Sequence, residues 1–161
     1  MSHPVVTIWG KVHGGYMGMM IGLSCGCGYN KEFSIGVGMM WGDLFELPLK
    51  AGGFVSLRKL LSDRAEYDLV KMLLEEKRGK CADYGQALFR CPKCRTFTER
   101  FHYLIEYPGG RYSRACDCGK CGAALEVIPC GDEDGDGPDF SAYPCPKCGK
   151  PLSGGIVGMW D

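Results

Sequence analysis

Four short cysteine clusters constrain this chain more than any other feature: Cys25/Cys27, Cys91/Cys94, Cys118/Cys121 and Cys145/Cys148. The last three are C-x-x-C pairs whose first cysteines recur every 27 residues. Two thiolates set two residues apart in a tight turn can bind one tetrahedral metal, and two such turns close a four-sulfur site. The chain therefore reads first as a zinc protein holding two Zn2+ ions, with Cys91, Cys94, Cys118, Cys121, Cys25, Cys27, Cys145 and Cys148 as ligands. Eleven cysteines is an odd number, so disulfides cannot use them all, and the spacings suit knuckles better than bridges. Iron–sulfur ligation and a disulfide scaffold are the competing uses of the same residues. A reducing, cytoplasmic setting follows from the zinc reading.

A chain of 161 residues holds one domain with a modest core, or two very small ones sharing metal sites. Its 25 glycines weaken helices and strands by raising the entropy lost on ordering. Metal ligation can offset that loss, because binding energy becomes folding energy. The formal net charge is zero, but each four-thiolate zinc site adds about −2. Bulk charge therefore gives no argument for nucleic-acid binding. No stretch approaches the roughly 18 apolar residues of a membrane span. The apolar run from Tyr16 to Leu23 is short and broken by glycine, a poor export signal.

Along the chain, residues 1–18 form an N-terminal extension or a first edge strand from Val5 to Trp9. Residues 19–161 form a single zinc-ribbon-like domain with knuckles at 25–27, 91–94, 118–121 and 145–148. Phe33 to Met39 is the strand leaving the first knuckle, and Asp43 to Gly53 is a connection. Leucines and valine at three- and four-residue spacing between Ser56 and Arg78 predict an inserted amphipathic helix, with Gly79 as its stop. Asp63 and Glu66 resemble a capping box, which splits it into a short helix up to Leu61 and a longer one from about Arg64. From Ala87 the pattern turns to β. Thr96 to Tyr107 alternates aromatic and polar residues, turns at Pro108-Gly109-Gly110 and returns through Arg111 to Ala115. Ala123 to Ile128 and Ile156 to Trp160 are further strands. The fold class is α+β: small zinc-ribbon antiparallel β elements with an inserted helix.

A hairpin between two C-x-x-C knuckles joins Cys91/Cys94 to Cys118/Cys121 and leaves Cys25/Cys27 for Cys145/Cys148. The similar strands Val37-Gly38-Met39-Met40-Trp41 and Val157-Gly158-Met159-Trp160 favour this nested pairing over a sequential one. Local exceptions remain. Cys25-Gly26-Cys27 has one intervening residue, which tightens the bite at the metal and leaves open whether both sulfurs ligate. Cys116 competes with Cys118, whereas Cys81 and Cys130 read as buried apolar residues or spare thiols. Lys93, Lys120 and Lys147 share one knuckle position, where their charge offsets that of the thiolates, in preference to contacting phosphate.

Cys91-Pro92-Lys93-Cys94 and Cys145-Pro146-Lys147-Cys148-Gly149 are similar to zinc-ribbon knuckles of the rubredoxin-like kind. More narrowly, the order resembles a group of uncharacterised bacterial zinc-ribbon proteins. Its elements here are Cys25 to Tyr29, Gly36 to Met39, the helix, Cys91 to Cys94 and Cys145 to Gly149. The chain departs from that group in its C-x-C pair and its extra Cys116/Cys118/Cys121 cluster. The resemblance implies a fold and no activity.

Three functions compete. The first is a non-enzymatic module in which structural zinc holds a β surface for a macromolecule, a protein partner being preferred over nucleic acid. The nucleic-acid alternative rests on seven basic and three acidic residues between Arg90 and Cys121, interleaved with Phe97, Phe101, Tyr103, Tyr107 and Tyr112. The second is an enzyme, which is disfavoured: His3, His13 and His102 form no catalytic zinc motif. The third is thiol redox or metal buffering through Cys25, Cys27, Cys116 and Cys118. Asp132, Asp134, Asp136 and Gly137 open like a calcium loop, but its twelfth position is Tyr143 where a bidentate Glu is needed. The sequence names no oligomeric state.

Overall fold

Alternation of apolar and polar residues on either side of the first two cysteine turns produces antiparallel hairpins, and these define the architecture. The computed structural model describes residues 18–38, 41–50, 55–130 and 139–160. Residues 1–17 and the acidic segment 131–138 lie outside that set, and with them His3, His13, the Val5–Trp9 expectation and the calcium-loop residues.

β1 (Gly18–Ser24) and β2 (Asn30–Ile35) form a hairpin with Cys25 and Cys27 at its tip. A short helix α1 (Leu57–Leu60) precedes α2 (Arg64–Glu75). β3 (Lys80–Arg90) and β4 (Phe97–Tyr107) form a longer hairpin with Cys91 and Cys94 at its tip. β5 (Gly110–Ser113) turns back on β4, and the two-residue β6 (Glu126–Val127) pairs with the end of β3. A 3-10 turn at Phe140–Ala142 leads to β7 (Ser153–Trp160), which pairs with β1. The two sheets have strand orders β2-β1-β7 and β5-β4-β3-β6. The described architecture is mixed α and β, as the sequence indicates.

The sheets are joined directly. Gly36 and Gln86 exchange both backbone hydrogen bonds at 2.8 Å, so the end of β2 crosses to the middle of β3. A side chain at Gly85 would meet the Gly36 carbonyl at 3.0 Å, and its φ of +156° disfavours other residues as well. This crossing ends β2 at Ile35, four residues before the expected end at Met39.

Two apolar clusters fill the interior. Ile21, Leu23 and Ile35 of the smaller sheet, each 0% exposed, meet Leu88 and Phe97 of the larger one and Ile128 just beyond β6. Complete burial of each such aliphatic side chain contributes about 1.5–3 kcal/mol. The second cluster places Val70, Leu73 and Leu74 of α2 against Phe101, Tyr103 and Ile105 of β4. Trp41, Leu44 and Phe45, from the segment read as a plain connection, are buried there too. Trp41 meets Trp160 edge-to-face, with ring centroids 5.7 Å apart. Thus the two similar V-G-M-W segments touch through their tryptophans, although residues 37–38 have already left the strand.

Asp63 caps α2 by accepting from the Ala65 N–H at 2.9 Å. The reciprocal half of a capping box is not made by Glu66, whose carboxylate accepts from the Tyr103 hydroxyl at 2.8 Å and pairs with Arg114 at 3.1 Å. At the other end Arg78 takes the left-handed conformation (φ +54°). Gly79 donates to the Leu73 carbonyl at 2.8 Å, which closes the helix.

Candidate metal centres

Each cysteine turn uses one backbone plan. The first cysteine's N–H donates to a carbonyl five residues on, Cys91 to Thr96 at 2.9 Å, Cys118 to Ala123 at 2.8 Å and Cys145 to Lys150 at 2.8 Å. Its carbonyl accepts from the residue after the second cysteine: Arg95 at 2.8 Å, Gly122 at 2.9 Å and Gly149 at 2.9 Å. The C-x-C turn is the same plan shortened by one residue. Cys25 donates to Tyr29 at 2.9 Å and accepts from Gly28 at 3.0 Å. Amide groups inside the turns point at sulfur: Cys94 N–H to Cys91 at 3.3 Å, Lys120 to Cys118 at 3.4 Å and Lys147 to Cys145 at 3.4 Å. Such donors favour thiolate over thiol.

The residue closing each turn has positive φ: Gly28 at +90°, Arg95 at +60°, Gly122 at +72° and Gly149 at +77°. Three are glycine and one is not. A side chain in this conformation costs about 1–2 kcal/mol, while glycine restores about 0.4–1 kcal/mol of freedom to the unfolded chain. Arg95→Gly is therefore expected to stabilise the metal-loaded protein by roughly 0.5–1 kcal/mol. Denaturant melting that showed a loss of stability would contradict this account of the turn.

The four turns pair in the nested way. The sulfurs of Cys25, Cys27, Cys145 and Cys148 lie within 4.8 Å of one another, as do those of Cys91, Cys94, Cys118 and Cys121. Separations across the turns are 3.5 Å for Cys25–Cys148, 3.7 Å for Cys27–Cys145 and 3.5 Å for Cys91–Cys121. A tetrahedral ion with metal–sulfur bonds of about 2.3 Å, as zinc makes, has sulfur–sulfur edges of about 3.8 Å. A disulfide needs about 2.05 Å. Both tetrads therefore fit a four-coordinate metal, and all described cysteines are free. The short C-x-C turn still presents both of its sulfurs to the partner turn.

Without metal, the thiols of each tetrad differ in their hold on protons. Cys118 is pulled down to about 6, chiefly by the backbone N–H groups of Cys121 and Lys120. Cys94 is pushed up to about 12, first by its hydrogen bond with Cys121. In the other tetrad burial opposes ionisation of Cys145, but the N–H groups of Cys148 and Lys147 outweigh it and bring the thiol to about 7. The Lys150 N–H favours a Cys148 thiolate, yet contacts with Cys25 and its neighbours push that thiol up to about 11. Metal binding must displace the tightly held protons, so it releases acid and weakens as pH falls.

The remaining cysteines lie elsewhere. Cys116 packs against the Ala87 and Phe89 cluster, and Cys118 holds the place in the tetrad. Burial raises its pKa and pushes Cys81 and Cys130 up to about 12. His102 stands beside Phe89, with ring centroids 6.0 Å apart, and burial lowers its pKa. It joins no metal-ligating group among the described residues. Phe97, Phe101 and Tyr103 are buried, while Tyr107 and Tyr112 pack against the α2 cluster. They are hairpin core. Lys147 donates to the Cys27 carbonyl at 3.1 Å and so ties the fourth turn to the first.

No family model, curated protein or solved structure matches the chain. Two features of the site went unread in the sequence: the left-handed Arg95, and the Lys147 bond to the Cys27 carbonyl. The first had a signal, since glycine follows the second cysteine in the other three turns.

Proposed function

We propose that the chain is a zinc-stapled interaction module of the zinc-ribbon kind. Two tetrathiolate zinc ions clamp its hairpins into a fixed surface for a partner protein. The observation that carries this reading is the pair of closed four-sulfur clusters at tetrahedral spacing. Four thiolates leave no coordination position for water or substrate, which argues for a structural role and against a zinc enzyme. The buried hairpin aromatics offer no stacking platform, which counts against the nucleic-acid alternative. Burial raises the pKa of Cys116 and makes it a poor nucleophile, while Cys25, Cys27 and Cys118 are gathered into the four-sulfur clusters, where a bound metal occupies their thiolates; both count against thiol exchange. No described cysteine is in a disulfide, which suits a reducing cytoplasm. No helix among the described residues is long and apolar enough to cross a membrane.

Metal analysis tests the proposal. The purified protein is expected to contain about two zinc ions per chain, colourless because zinc has a filled d shell. Chelation is expected to abolish cooperative unfolding. A visible iron–thiolate absorption, or a chelated protein that melts as before, would overturn it.

A further inference from the structure

A cleft of about 460 Å³ opens where residues of, or next to, all four cysteine turns converge, including Tyr29, Thr96, Cys118 and Pro146. Its apolar wall comes from Tyr29, Phe33 and Phe97, and its charged groups are Lys31, Arg100 and Lys120. No carboxylate lines it among the described residues. None of the three cations forms an ion pair with a described carboxylate.

Neutralising the metal centres does not account for all three. Lys120 belongs to a cysteine turn, but Lys31 lies on β2 and Arg100 on β4, outside the turns. The Arg100 guanidinium is propped by the Thr98 hydroxyl at 3.0 Å and the Glu99 carbonyl at 3.2 Å. Glu99 itself is turned aside, accepting from the Ser34 N–H at 2.5 Å. Lys147, by contrast, spends its ammonium group on a turn carbonyl. Lys120 is offset by the thiolates of its own turn, but Lys31 and Arg100 add charge from outside the turns, so the cleft favours an anion between them.

We infer that this cleft receives an acidic segment of a partner protein. Its carboxylates pair with Lys31, Arg100 and Lys120, and an adjoining apolar side chain lies against the half-buried ring of Tyr29. A peptide fits better than nucleic acid. Phe33 and Phe97 are buried and offer no open ring faces for bases. The chain also has 19 acidic and 19 basic residues before thiolate charge is added, so its bulk charge does not favour a phosphate backbone. The inference rests on the interaction-module reading and supplies the chemistry of its partner.

Fluorescence anisotropy on the two-metal protein provides the test. The probe is a fluorescein-labelled twelve-residue peptide alternating Glu and Leu, compared with its Lys/Leu counterpart and with fluorescein-labelled oligo(dT). The acidic peptide is expected to bind most tightly and to weaken as salt rises. Lys31→Glu/Arg100→Glu, which leaves the turns untouched, should weaken it about tenfold, and adding Lys120→Glu should weaken it further. Metal content measured on the same samples separates the two ideas. A protein with two ions that ignores the acidic peptide, binds oligo(dT) better, or binds the peptide equally after the double reversal overturns the cleft assignment alone. A protein without metal overturns the module reading.

Discussion

Cys91→Ser is expected to lower bound metal from about two ions per chain to one and to unfold the β3–β4 tip together with the Cys118 turn. Cys91 is 1% exposed, and its sulfur lies 3.5 Å from that of Cys121. Structural zinc sites supply on the order of 10 kcal/mol of apparent binding free energy, comparable to the whole stability of a small domain. Losing one ligand of a closed tetrad should therefore leave little cooperative unfolding for that sheet. Metal analysis and denaturant melting check both parts. Cys116→Ser is the matched control: it should keep both ions and change stability by less than about 1 kcal/mol. If the control loses an ion and Cys91→Ser keeps two, the ligand assignment is wrong.

Glu66→Ala is the second large effect. The Tyr103 side chain is fully buried, and its hydroxyl donates to the same Glu66 oxygen that pairs with Arg114. The side chains of Arg114 and Glu66 are only 25% and 13% exposed. Burial, then the Glu66 charge, holds the phenol well above its ordinary pKa, so it stays a donor. Removing the carboxylate leaves a buried hydroxyl and a partly buried guanidinium without their shared acceptor, a loss of about 2–4 kcal/mol. Glu66→Gln keeps an acceptor but not the charge and should fall between. Denaturant melting reads the difference. A change below about 0.5 kcal/mol for Glu66→Ala would remove this contact from the account of the helix–sheet interface.

The sequence was legible where chemistry is local. Cysteine spacing located the turns, the apolar repeat located α2 and its start near Arg64, and Pro108-Gly109 located the β4–β5 turn. Even the nested pairing followed from a local fact, the length of hairpin between two knuckles. What stayed hidden was long-range. Nothing near Glu66 in sequence says that its partners are Tyr103 and Arg114, so its spacing from Asp63 suggested a cap. Nothing near Phe33 says that β2 must stop where Gly36 meets Gln86. Trp41, Leu44 and Phe45 sat among turn residues, and their burial depends on a helix and strands encoded later in the chain. Cleft residues were hidden for the same reason, since Lys31 and Arg100 meet only once two separate hairpins are clamped side by side.

Nested pairing also imposes an order of assembly. The inner cage joins sulfurs 30 residues apart, whereas the outer one must gather partners 123 residues apart. As the polypeptide emerges, the inner cage has all four ligands once residue 121 is available, while Cys25 and Cys27 wait for Cys148. The first strand thus spends most of synthesis without the neighbour that later flanks it as β7. Scarce metal would therefore halt maturation at a half-clasped intermediate: inner hairpin closed, outer sheet unzipped.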